Sequence, residues 1–200
     1  AEQEEAFHRE STERQKMEDL ANTDGLTGLS NERFFNATLQ KKEKAGEPFA
    51  LFYLDLDSFK PVNDTYGHQF GDRVLKHFAE RLQESVRGED VVARVGGDEF
   101  LLCMECPVDP RPLIDRIHRS LEGDFEGFPL SVSMGVAIAG SDVRDYDELF
   151  RRADVALYHK KRGGRSGYVF YSDLDEEERD LLLEGAHTAL SGIDRDESDQ

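Results

Sequence analysis

The segment Phe49-Ala50-Leu51-Phe52-Tyr53-Leu54-Asp55-Leu56-Asp57 constrains this chain more than any other. An apolar run this short and dense reads as a buried strand, yet its end carries two carboxylates. Side chains alternate along a strand, so Asp55 and Asp57 share one face. Burying them is costly unless donors or a cation compensate. A second landmark follows in residues 91–104. Val91-Val92-Ala93-Arg94-Val95 and residues 100–104 flank Gly96-Gly97, which predicts an antiparallel hairpin. Asp98 and Glu99 come directly after the glycines, where the missing side chains let an ion or ligand approach the backbone. If hairpin and strand are neighbours, several carboxylates converge. Hard oxygen donors with no His or Cys among them select Mg²⁺ or Mn²⁺ over zinc and suit phosphoryl or nucleotidyl transfer. The competing reading, acids on a surface turn, fits Asp98 and Glu99 alone but not the apolar flanks of Asp55.

The remaining pattern supplies helices to cover a sheet. Residues 1–22 are charged and free of Gly and Pro, with Phe7, Met17, Leu20 and Ala21 forming a thin apolar seam, which reads as a helix. Asn31 caps a helix bearing Phe34, Phe35 and Leu39, ended by Gly46-Glu47-Pro48. Residues 58–64 read as a loop. Beyond Gly71, the residues Val74, Leu75, Phe78, Ala79, Leu82 and Val86 recur at helical spacing. Helices over 112–121 and 146–161 and strands over 130–139 and 168–171 complete the core, and Leu181 to Leu183 suggest a last amphipathic helix before a disordered end. Helices and strands in this mixed order predict an α/β (α+β) fold with a largely antiparallel sheet.

The 200 residues make one ordinary domain with appended segments, and a formal net charge of −18 removes any general attraction to nucleic acid or anionic lipid. Half of that charge lies in residues 173–200, where eleven acidic and two basic residues read as a solvated extension. Such acidity also fits a salt-tolerant source. Cys103 and Cys106 are too few for a disulfide framework, and with no second pair they read as strand-core cysteines rather than a zinc or redox site. No long apolar stretch and no signal-peptide pattern is visible, so neither membrane contact nor export is expected of this chain, and its start at Ala1 fits a fragment of a longer protein.

Any phosphate ligand must therefore be met locally. Ser58-Phe59-Lys60-Pro61-Val62-Asn63-Asp64 offers backbone donors and a Lys. Lys160, Lys161, Arg162 and Arg165, interrupted by Gly163-Gly164, form a basic island. Alone it reads as a solvated helix end; beside a metal site it suits a triphosphate.

Taken together, these segments resemble one family. Arg94-Val95-Gly96-Gly97-Asp98-Glu99-Phe100 resembles the signature of the GGDEF domains, the diguanylate cyclases. Asp24-Gly25-Leu26-Thr27-Gly28-Leu29 resembles the family's opening motif, and Asp55-Leu56-Asp57-Ser58-Phe59-Lys60-Pro61-Val62-Asn63-Asp64 with Gly67-His68 and Gly71-Asp72 resembles its nucleotide-binding segment. Ala153-Asp154, Ala156-Leu157-Tyr158, Lys161 and Gly164-Arg165 resemble its closing helix. The blocks occur in family order over about residues 20–171.

The resemblance implies a fold like the nucleotidyl cyclase and polymerase palm, with a signalling helix at 1–22, a GGDEF domain at 23–172 and an acidic extension at 173–200. It implies condensation of two GTP to cyclic di-GMP and two pyrophosphates, dependent on Mg²⁺ or Mn²⁺, between two GTP-loaded protomers of a regulated homodimer. Asp55, the Leu56 carbonyl and Asp98 would bind the metal, and Glu99 would help activate the 3′-hydroxyl. Asn63 and Asp72 would read guanine with His68 and Phe59 nearby, and Lys60, Lys161 and Arg165 would take phosphates. An amide paired with a carboxylate matches guanine's O6, N1 and N2, a pattern adenine lacks. Arg87 and Asp90 stand at the spacing of the family's RxxD product-inhibition site. The departures, Lys160 where Ala is usual and Asn31-Glu32-Arg33 in the opening motif, touch no transferred role. The resemblance further implies a sensor N-terminal to this chain, a cytoplasmic location and, for a longer protein, an optional membrane anchor. A non-catalytic receptor for cyclic di-GMP or GTP is the alternative, which the intact acids disfavour. An adenylate-type cyclase is a third, which the Asn63 and Asp72 pair disfavours.

Overall fold

The apolar run forms β2 (Phe49–Leu56), buried at every residue because it lies inside a six-stranded sheet with helices on both faces. This computed structural model describes residues 12, 14, 17–18, 20–106, 109–140 and 145–179. Its strands and helices run β1 (Ser30–Asn31), α1 (Glu32–Ala45), β2, α2 (Phe59–Tyr66), α3 (His68–Ser85), β3 (Val91–Gly96), β4 (Glu99–Glu105), α4 (Arg111–Leu121), β5 (Gly123–Phe125), β6 (Phe128–Leu130), β7 (Val132–Ile138), α5 (Tyr146–Arg162) and β8 (Gly167–Phe170). Spatial order in the main sheet is β1-β3-β4-β2-β7-β8. The inner pairs are antiparallel, while β1 with β3 and β7 with β8 are parallel.

Two-residue alternation divides β2 between two cores. Phe52, Leu54 and Leu56 join Val74, Phe78 and Leu82 of α3 and Ile114 and Ile117 of α4. Leu51 and Tyr53 join Phe35 and Leu39 of α1 and Leu149, Ala153 and Leu157 of α5. Asp55 continues the second series and so faces α5, whereas polar positions on a surface strand would face water.

Four expectations are corrected here. Residues 58–64 are not a loop. Phe59 and Val62 bury one side of α2, and its helical spacing is masked by Lys60 and Pro61 between them, the proline standing in the first turn, where a helix tolerates it. The helix expected beyond Gly71 starts at His68. The strand over 130–139 is interrupted at Ser131: β6 pairs with β5 as a small separate hairpin, and β7 alone enters the main sheet. In the β3–β4 hairpin a register shift between Arg94 and Gly96 pairs Gly96 with Glu99, so Gly97-Asp98 is the turn and Glu99 already belongs to β4.

Toward the N-terminus, Thr12, Arg14, Met17, Glu18 and residues 20–22 are helical, with Arg14 and Glu18 paired at 3.1 Å one turn apart. Met17 and Leu20 are 73% and 81% exposed, so this part of the apolar seam has no partner surface within the described chain. Phe7, Leu181 to Leu183 and the end of the acidic extension lie outside the described residues.

Candidate functional site

The antiparallel register of β2 and β4 places Asp55 opposite Glu99. The Leu56 amide donates to the Asp98 carbonyl at 3.2 Å, tying the end of β2 to the hairpin turn. From the other side α5 delivers Lys161, whose Nζ lies 2.6 Å from Asp55 Oδ2. Asp154 stands two turns earlier on α5 and Tyr53 two residues earlier on β2. Asp55, Asp98, Glu99, Asp154, Tyr53 and Lys161 thus interact as one charged cluster at the edge of the α5-side core.

Electrostatics within the cluster follow from burial first and from crowded anions second. Burial pushes the Asp55 carboxyl up to about 6; the hydrogen bond and charge of Lys161 oppose the shift, while Asp98 and Glu99 add to it. Burial and Glu99 raise Asp154 against the opposing pull of Lys161. The Tyr53 phenol is raised by burial and by Glu99, Asp154 and Asp55, so it stays protonated at neutral pH. The Asp55 shift predicts a sign. Because the folded state holds the Asp55 proton more tightly than the unfolded chain does, deprotonation between pH about 4 and about 6 weakens folding. The stability of the metal-free protein minus that of Asp55→Asn should fall as pH rises through this window and level off above it. Denaturant melts of both proteins from pH 4 to 8 check this; a difference that rises with pH would refute it.

The donor set fits a hard divalent cation. Asp55, Asp98 and the Leu56 carbonyl offer only oxygen, and a cation would offset both the burial of the Asp55 carboxylate, which is the main cause of its shift, and the added repulsion from Asp98 and Glu99. Among the described residues no three His, Cys, Asp or Glu side chains already form a metal cluster, and Lys161 is the counter-charge on Asp55.

Asp57 does not join this cluster. It is 6% exposed and accepts from Ser131 Oγ at 2.9 Å, Ser133 Oγ at 2.7 Å and the Ser166 amide at 3.0 Å. Sequence reading paired it with Asp55 but could not see these three donors.

The other predicted positions fall on both sides of the strand end. Lys60 is exposed on the first turn of α2, and Phe59 is buried beneath it. Asn63 leans over Gly71 so closely that a Cβ there would collide with Asn63 Oδ1, with Phe59 Cζ 3.2 Å away. Gly71 thus leaves the space in which the Asn63 amide sits, beside exposed Asp72 and near exposed His68 at the start of α3. Arg165 is exposed just after α5. Arg94, which the sequence marked only as part of a motif, forks onto the Gly97 carbonyl at 2.8 and 3.0 Å and onto Asp24 at 3.1 and 3.2 Å. Asp24 in turn accepts from the Thr27 amide and hydroxyl; burial raises its pKa, but these bonds and Arg94 outweigh burial and hold it below the usual carboxylate value. The opening motif is therefore a strut for the hairpin turn.

Arg87 and Asp90 lie elsewhere. They precede β3, at the far end of the hairpin from Gly97. Asp90 Oδ2 accepts from the Arg87 amide at 2.8 Å and the Asp90 amide donates to the Arg87 carbonyl at 3.1 Å, which closes the turn and leaves the Arg87 side chain exposed. Arg87, Asp90, Met104, Cys106 and Leu113 line one depression. Cys103 is in the core, where burial pushes its thiol up to about 12, consistent with a packing role.

The family profile described as diguanylate cyclase, GGDEF domain, matches residues 21–192. The chain belongs to the GGDEF family of diguanylate cyclases. It is 34% identical over 186 residues to the bifunctional diguanylate cyclase/cyclic di-GMP phosphodiesterase MucR of Pseudomonas aeruginosa, covering 88% of this chain and 27% of that protein. It is 36% identical over 162 residues to diguanylate cyclase DgcS of Shewanella oneidensis, covering 77% and 54% respectively. This GGDEF domain thus spans between a quarter and about half of these two relatives. The crystal structure of the coiled coil and GGDEF domain of DgcB from Caulobacter crescentus, in complex with c-di-GMP, superposes with a TM-score of 0.74 at 27% identity, over 84% of this chain and 95% of that one. The expected α/β fold with a mostly antiparallel sheet is the fold of this family. Among the described residues no helix is long and apolar enough to cross a membrane.

Proposed function

We propose that this domain condenses two GTP into cyclic di-GMP with release of two pyrophosphates, each protomer of a regulated homodimer holding one GTP. The observation that carries the reading is the cross-strand placement of Asp55 and Glu99 with Lys161 on Asp55, which gathers acid and base at the end of one strand pair. In each of two equivalent steps the 3′-hydroxyl of one GTP attacks the α-phosphorus of the other. One P–O bond forms, the bond to pyrophosphate breaks and pyrophosphate leaves with the electron pair. Glu99 receives the hydroxyl proton. Asp55, the Leu56 carbonyl and Asp98 hold Mg²⁺ or Mn²⁺, which when bound supplies charge stabilisation to the phosphates and eases deprotonation of the hydroxyl. Lys60, Lys161 and Arg165 neutralise the triphosphate. Asn63 and Asp72 pair with the guanine edge, with His68 and Phe59 against the base. Product returns to Arg87 and Asp90, the Arg forking onto phosphate or stacking on guanine, the Asp accepting from N1 and N2.

Residues 1–22 transmit the signal of an N-terminal sensor, 23–172 form the cytoplasmic catalytic domain and 173–200 a C-terminal extension. The test is cyclic di-GMP formation from GTP and Mg²⁺ across a protein concentration series. Product rising faster than linearly with protein is expected of facing half-sites. Binding of GTP or cyclic di-GMP with no product at any concentration would favour the receptor reading, and preferential use of ATP would sink the guanine assignment.

A further inference from the structure

The loop that follows α5 is held in a conformation its residues do not favour. Arg165 has φ 59° and Ser166 φ 39°, two successive non-glycine residues in the left-handed region, between Gly164 at 120° and Gly167 at 124°. A side chain at such a φ is strained, so the surroundings must over-determine the backbone there. The structure identifies what does so. The Arg165 amide donates to the Lys160 carbonyl at 3.1 Å, closing the end of α5. The next amide, that of Ser166, donates to Asp57 Oδ2 at 3.0 Å, and the Ser166 hydroxyl donates to Glu122 Oε1 at 2.6 Å. Asp57 is itself immobilised by the Ser131 and Ser133 hydroxyls, so the loop is pinned to the rigid end of the sheet.

We propose that Asp57 is a positioning residue for phosphate binding: through the Ser166 amide it holds residues 163–167 in place and thereby presents Arg165, with Lys161 one turn earlier, to the triphosphate. This rests on the phosphate role proposed above for those two cations. It assigns the second carboxylate of the Asp55-Leu56-Asp57 segment a different task from the first. Asp55 faces the charged cluster; Asp57 never touches the nucleotide and acts through the loop. A buried carboxylate with three donors is an efficient anchor, because hydrogen bonds to a charged acceptor are stronger than neutral ones, and losing the acceptor leaves the Ser166 amide, the part-buried Ser131 hydroxyl and the buried Ser133 hydroxyl without it.

The experiment compares equilibrium binding of a non-hydrolysable GTP analogue and of GMP, each with Mg²⁺, to wild type, Asp57→Ala, Asp57→Asn and Arg165→Ala. Asp57→Ala should weaken the triphosphate by about tenfold and leave GMP within about twofold, because one anchored cation is lost and the base contacts are not. Asp57→Asn should recover most of the triphosphate affinity. Its carbonyl can replace the oxygen shared by Ser131 and the Ser166 amide, and its amide can donate to the rotatable Ser133 hydroxyl. Equal losses for both nucleotides in Asp57→Ala, or no loss, would overturn the proposal, as would failure of Asp57→Asn to recover. If Asp57→Ala does not fold, the double variant Ser131→Ala, Ser133→Ala, which takes away the two hydroxyls that fix Asp57 and leaves the loop's own residues unchanged, decides by the same criterion. Arg165→Ala separates the two levels of inference. If it leaves the triphosphate preference intact, the phosphate assignment falls and this proposal with it; if it removes the preference while Asp57→Ala does not, only the positioning role falls.

Discussion

Glu99→Gln should abolish nearly all cyclic di-GMP formation, with a fall of about 10²–10⁴-fold in turnover, while the melting temperature and GTP affinity stay near wild type. Gln keeps the shape and the half-buried position of Glu99 at the start of β4 but cannot take up the proton of an attacking hydroxyl. The substitution also removes a negative charge that raises Asp55, Asp154 and Tyr53. Repulsion in the cluster falls, so the variant should be no less stable at neutral pH than the parent, and the carboxyls of Asp55 and Asp154 should titrate lower. That combination separates loss of a base from loss of fold. Carboxyl titration by NMR, thermal melts and product assays on the same preparations check all three parts. Retained turnover would remove Glu99 from its assigned role.

Much of this site was legible in the sequence because the hydrophobic pattern and the carboxylates conflict at one place. Asp55 stands out within an apolar strand, and two glycines announce the turn that brings Asp98 and Glu99 beside it. Register did the rest, and the sequence pattern does not encode register directly: the shift at Arg94 and Gly96 moves Glu99 from the turn into the strand opposite Asp55. Long-range partners were also hidden. Arg94 and Asp24 are 70 positions apart, and Asp57 meets Ser166 across 109. Asp154 carried a detectable signal, since it lies two turns before Lys161 and shares its helix face, but Tyr53 looked like one more apolar strand residue. Residues 58–64 misled because the amphipathic signal of an eight-residue helix rests on only two buried side chains, Phe59 and Val62.

The docking of α5 supports the whole arrangement, and one glycine on β7 controls it. Gly135 pairs with Tyr53 in the sheet and faces α5, where a Cβ would overlap the Ala153 carbonyl and the Leu157 amide. Those are backbone atoms in the middle of a helix, so no rotamer change can relieve the clash, and α5 as a body must shift away from β7. Interiors packed to crystal-like density resist such a shift. Gly135→Ala should therefore lie at or beyond the upper end of overpacking effects, about 3 kcal/mol, which for a domain of this size lowers the melting temperature by roughly 10 °C. Function should suffer more than stability alone implies. The face of α5 that rests on Gly135 continues into Asp154 and Lys161, and a displaced helix takes the ammonium off Asp55, where it now sits at 2.6 Å. Gly140→Ala is the matched control, since a Cβ at Gly140 meets nothing within 4 Å and its φ needs no glycine. Thermal melts of the two variants, together with their affinity for a GTP analogue well below the melting range, test the argument. A Gly135→Ala protein as stable as Gly140→Ala would mean that α5 is not seated on the sheet as described, and an unstable one with unchanged nucleotide affinity would mean that α5 can move without disturbing the phosphate site.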